Sequence, residues 1–127
     1  MSPAGTIEFT RKHPRIRIEL RAEFVISDCE KESSQRESAV IKILGGGGVM
    51  LISPEPLSEG TLVDMKVYFE CAEMTFKAEV VWTELQLERN QKEFRCGLKF
   101  HAIADDDLLY IQHVVHRQLR TDPGSAA

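Results

Sequence analysis

The chain is predicted to be all-β, a six-stranded antiparallel β-barrel followed by a C-terminal α-helix. Three observations carry this expectation. Apolar and polar residues alternate in short runs between Ile16 and Phe100. Glycine, proline and small polar clusters punctuate those runs at short intervals. The last run changes its spacing from two residues to the helical period. Antiparallel strands leave two edges open to unwanted pairing, and closing the sheet on itself protects them.

Residues 1–10 are small and polar with little periodicity and are expected to form a flexible leader. "RKHPR" follows, a basic step whose proline disfavours helix at His13. Ile16, Ile18, Leu20, Ala22, Phe24 and Ile26 then alternate with Arg17, Glu19, Arg21 and Glu23, which marks a half-buried first strand. After the polar connection "SDCEKESSQRES", "AVIKIL" gives the second strand and "VMLIS" the third, with "GGGG" between them. "PEPLSEG" is a turn, and "TLVDMKVYFE" with "MTFKAEVVWTE" forms a hairpin. Met74, Phe76, Ala78, Val80 and Trp82 share one face of its second arm, so Trp82 is expected in the core.

"LQLERNQKE" is expected to be a polar loop, and "FRCGLKF" a last strand with Phe94, Cys96, Leu98 and Phe100 inward. "ADDDLLYIQHVVHRQLR" changes in kind. Its acids at the start and Arg117 and Arg120 at the end complement a helix dipole, and Leu108, Ile111, Val115 and Leu119 fall on one helical face. "TDPGSAA" stops the helix and leaves a disordered tail over 121–127. Residues 11–120 thus make one domain.

Composition narrows the function. With 16 basic against 20 acidic residues the net charge is −4, which disfavours nonspecific binding to DNA or RNA. There is no apolar run near membrane-spanning length and no leading signal-peptide pattern, so a cytoplasmic protein without membrane insertion is expected. Cys29, Cys71 and Cys96 are odd in number and widely spaced, which suits reduced thiols.

Few residues suggest catalysis. His113 and His116 have a helical spacing that could present two imidazoles, but no further metal ligand stands at a telling distance, so surface histidines are expected. "DDD" at 105–107 suits a helix N-terminus better than a calcium loop. No nucleophile–base pairing is evident, and no enzyme, cofactor or metal is expected. The four glycines are not a P-loop, because strand follows them and no Lys-Ser or Lys-Thr does. Between Arg11 and Arg21 lie Arg11, Lys12, Arg15, Arg17 and Arg21 against a single acid, Glu19. That is a positive strip on a negative protein, and arginine forks grip phosphate or guanine edges.

The order of these features resembles the PilZ domain family over roughly residues 10 to 119. "RKHPRIRIELRAEF" looks like the family's opening, "LISPEPLSEGTLVDMKVYF" like its strand and turn, and "FKAEVVWTE" with "FRCGLKFHAIADDDLLYIQHVV" like its last strands and helix. The resemblance implies a bacterial receptor for cyclic di-GMP, a dianionic second messenger with two guanines. The family's R-x-x-x-R motif is matched by Arg11 and Arg15. Its [DN]-x-S-x-x-G motif is degenerate. Alignment on "GGVML" sets Ile43, Gly45 and Gly48 at its three positions, and a one-residue shift sets Lys42, Leu44 and Gly47 there, so only the glycine survives. Two missing hydrogen bonds of about 0.5–1.5 kcal/mol each weaken binding without abolishing it. The resemblance therefore implies cyclic di-GMP as ligand, Arg11, Arg15, Gly47 and Gly48 as its binding residues, and a separate effector protein as the partner that reads the change. A PilZ-like adaptor that has lost the nucleotide is the alternative.

Overall fold

The computed structural model describes residues 14–27 and 36–121. The alternating run after Pro14 is β1 (Arg15–Ile26), and β2 (Glu37–Gly45) and β3 (Gly48–Ser53) flank the glycines. β4 (Leu62–Tyr68), β5 (Glu73–Glu88) and β6 (Gln91–Ala102) follow, and α1 (Asp105–Thr121) ends the fold. The strands run in the order β1-β2-β3-β6-β5-β4, all antiparallel, and β1 pairs with β4 as well as β2, so the sheet closes into a barrel. The expected leader, Arg11 to His13, Cys29 and residues 122–127 of the expected tail lie outside the described residues, while Thr121, expected to begin that tail, still belongs to α1.

Alternation translates directly into register. Ile16, Leu44, Val49, Leu98 and Val80 share one row across β1, β2, β3, β6 and β5, and every one is buried. Full burial of such side chains contributes about 1.5–3 kcal/mol apiece. α1 adds Ile111 and Val115 to this core, and the Tyr110 ring meets Phe69 edge-on at 5.2 Å. The three aspartates occupy the first turn of α1 and Arg120 its last, while His113 and His116 are exposed. Among the described residues, no helix is long and apolar enough to cross a membrane.

Two expectations are corrected. The stretch expected as a polar loop after Glu84 is mostly ribbon: β5 continues to Glu88, β6 begins at Gln91, and only Arg89 and Asn90 turn the chain. Both turn residues take positive φ, 52° and 65°, the backbone hand that matches strand twist in a two-residue hairpin. This ribbon outruns the barrel, so its Leu85 and Leu87 stay 52% and 68% exposed. Trp82 is also not in the core. A bulge between Val80 and Trp82 inserts one residue and turns the indole to the outer wall, where it is 40% exposed.

Candidate functional site on the outer barrel wall

The bulges determine what the outer wall presents. β1 shifts register between Arg17 and Leu20, and β2 shifts between Ile41 and Ile43. The residues displaced by these shifts meet: Lys42 Nζ stands 3.1 Å from Glu19 Oε1. Both are solvated, so the pair contributes at most about 1 kcal/mol. Its consequence is geometric, because Lys42 and Ile43 both line a groove on the outside of the barrel.

Three outward rows cross that wall. The row nearest the glycines sets Arg15 beside Gly45 and Gly48 beside Lys99. The middle row runs Arg17, Ile43, Met50, Gly97, Trp82. The third runs Arg21, Val40, Ile52, Arg95, Glu84. An apolar centre made by Ile43, Met50, Val40 and Ile52 is therefore flanked by arginines from β1 on one side and Arg95 on the other. The projecting β5–β6 ribbon supplies the second wall through Gln86, Glu88, Arg89 and Glu93. The groove is open to solvent and has a volume of about 1060 Å³, ample for a dinucleotide-sized ligand.

Arg15 is exposed, and its stem lies against β2. A Cβ built on Gly45 would stand 2.9 Å from Arg15 Cγ and 3.1 Å from the Pro14 carbonyl oxygen. Glycine at 45 thus lets the first motif's arginine approach the start of the glycine turn. Gly48 answers to a different neighbour. A Cβ there would come within 2.0 Å of the Leu98 carbonyl oxygen and 2.9 Å of Lys99 Cα, so the β6 backbone itself requires the glycine. Phe100 N–H donates to the Gly47 carbonyl at 3.0 Å, which ties the exposed bend to β6. Of the four residues expected at the site, Arg15 and Gly48 stand one outward row beyond the groove-lining Arg17 and Met50, Gly47 lies on the adjoining bend, and Arg11 lies outside the described residues.

Sequence reasoning missed Arg95. It was legible only as an outward polar position between Phe94 and Cys96. In the fold its Nε is buried, and among the described residues it has no hydrogen-bond partner and no carboxylate lies within ion-pair distance of it. An unmet buried donor of this kind costs about 1–3 kcal/mol. Beneath the wall, burial pushes the Cys96 thiol above its ordinary value, partly offset by Thr83, whose hydroxyl donates to the Leu57 carbonyl and lies 3.8 Å from Cys96 Sγ.

The model of the PilZ domain matches residues 9–117, nearly the whole chain. The chain belongs to the PilZ domain family. Solved structures share its fold at low sequence identity. The PilZ domain of YcgR from Escherichia coli, bound to c-di-GMP, is 14% identical with a TM-score of 0.70, covering 91% of this chain and 96% of that one. MrkH of K. pneumonia in complex with c-di-GMP is 17% identical with a TM-score of 0.70, covering 87% of this chain and 52% of that one. The Bacillus subtilis inhibitor of motility MotI/DgrA is 16% identical with a TM-score of 0.66, covering 88% and 53%. This PilZ chain therefore spans about half the length of the latter two. No curated protein matches it.

Proposed function

We propose that this PilZ domain binds cyclic di-GMP at the rim of the outer groove, through Arg11 and Arg15 and the backbone of Gly47 and Gly48, and passes the change to an effector protein. The observation that carries this reading is the position of Arg15. Its side-chain stem rests against Gly45, which sets this arginine beside the glycine turn. A dianionic ligand there meets Arg15 and Arg17, both exposed, beside an apolar floor suited to a base. Backbone N–H groups of the turn supply further donors where the motif's side chains are missing. The protein acts as a cytoplasmic receptor and not as an enzyme. Binding and release take the place of chemistry, and the difference between the free and the bound state makes the signal.

Titration calorimetry of the full chain with cyclic di-GMP tests this. Saturable binding that weakens in Arg11→Ala and in Arg15→Ala supports it. Absence of heat at high micromolar ligand rejects it.

The second reading is an adaptor that engages a partner without nucleotide. The observation favouring it is that the motif's two guanine-reading positions hold Ile43 and Gly45 in one alignment and Lys42 and Leu44 in the other, so neither restores the expected side chains. Equal partner binding with and without nucleotide, unaffected by substitution of the arginines, selects this reading.

A further inference from the structure

We propose that Arg95 and Glu93 of β6 read one guanine of the ligand and take over the role of the motif's absent side chains. This rests on the cyclic di-GMP reading above. Both residues sit on the outward face of β6, two apart, and both line the groove. Arg95 follows Ile52 in the register, and Glu93 lies opposite Gln86. The buried Nε of Arg95 lacks a hydrogen bond although Glu84 is its partner across the ladder and Glu93 is close in sequence. No carboxylate among the described residues pairs with the Arg95 guanidinium, which leaves its terminal nitrogens for a ligand acceptor.

The mixed charge of the groove selects the kind of acceptor. Arg17, Lys42, Arg89 and Arg95 share it with Glu19, Glu88 and Glu93. Lys42 is already engaged by Glu19. A phosphate beside Glu88 and Glu93 would be repelled. A guanine is not, because its O6 and N7 accept from an arginine fork while its N1–H and N2–H donate to a carboxylate. Its flat face matches the apolar floor of Met50 and Ile52. The phosphates stay with Arg15 at the rim, so the two ends of the groove divide the ligand between charge and base recognition.

Adenine provides the control, since it offers a donor where guanine has O6. Titrate the full chain with cyclic di-GMP and with cyclic di-AMP, then repeat with Arg95→Met, Arg95→Lys and Arg15→Ala. The wild type should prefer cyclic di-GMP. Arg95→Met should weaken it roughly tenfold to a hundredfold, the worth of one bidentate base contact, and leave cyclic di-AMP unchanged. Arg95→Lys keeps the charge, loses the fork and should lose most of the preference too. Arg15→Ala should weaken both ligands alike. If Arg95→Met and Arg95→Lys, both folded by circular dichroism, bind cyclic di-GMP as the wild type does while Arg15→Ala does not, the base-reading role is wrong and the receptor reading stands. If the wild type binds neither nucleotide, both fall together.

Discussion

The Trp82 indole occupies the space that a side chain at Gly97 would need. A Cβ on Gly97 would lie 2.1 Å from Trp82 Nε1 and 2.3 Å from Cε2. The two residues are register partners on β5 and β6, and the bulge before Trp82 creates their contact. Gly97→Ala should therefore displace the indole and cost about 1–3 kcal/mol, the usual range for overpacking. Trp82 is the chain's single tryptophan, so its emission reports the displacement directly, alongside a lower midpoint in urea.

The glycine run separates into positions of different consequence. Gly48→Ala sets a Cβ against the β6 backbone, which has no side chain to swing away. Gly47 is exposed on the bend. Thermal unfolding should show a loss of about 2 kcal/mol or more for Gly48→Ala, and a change within about 0.5 kcal/mol for Gly47→Ala. Equal effects of the two would mean that β6 does not press on the turn.

Restoring the family motif should work at one position and not the other. Ile43→Asn returns an amide to the groove and should raise cyclic di-GMP affinity by roughly twofold to tenfold, one neutral hydrogen bond. Gly45→Ser introduces a Cβ only 2.9 Å from Arg15 Cγ, so it moves the arginine and should bring no gain by itself. Calorimetry on both variants checks the contrast.

The Cys96 thiol, pushed up by burial from its ordinary value, links stability to alkaline pH. The folded state keeps a proton that the unfolded chain gives up. This contribution is whole below the ordinary thiol value and disappears as pH rises through the folded value. Urea unfolding at about pH 8 and about pH 10 should show a larger loss for the wild type than for Cys96→Ala, in which other alkaline titrations remain.

At the ribbon tip, Arg89 takes a φ of 52°, where a side chain is strained. Arg89→Gly removes that strain and should raise stability by about 1 kcal/mol, read as an upward shift in urea midpoint.

These positions also mark what the sequence made legible. β1, the strands flanking the glycines and α1 follow from periodicity alone, because each has a dry face and a wet one. Ile111 and Val115 are buried where the helical spacing set them. Beyond Val80 the pattern misleads. A bulge inserts a residue without changing composition, so Trp82 continues the apolar alternation and yet faces outward. The tip at Arg89 and Asn90 lacks the glycine that announces a two-residue turn, and its ribbon is wet on both faces, so Leu85 and Leu87 carried no burial signal. The candidate site divides the same way. Arg15 and the glycine turn were visible as local motifs. Arg95 is eighty residues downstream of Arg15, and only the pairing of β1 with β2, β2 with β3 and β3 with β6 sets both on one wall.

In the proposed receptor Arg15, held against Gly45, grips a cyclic dinucleotide at the groove rim. Calorimetric titration of the full chain and of Arg15→Ala with cyclic di-GMP tests it most directly. Saturable binding by the wild type is expected, with a loss of about tenfold to a hundredfold on substitution, the worth of one charge-assisted contact. Equal affinities for the two proteins, or no binding by either, would contradict it.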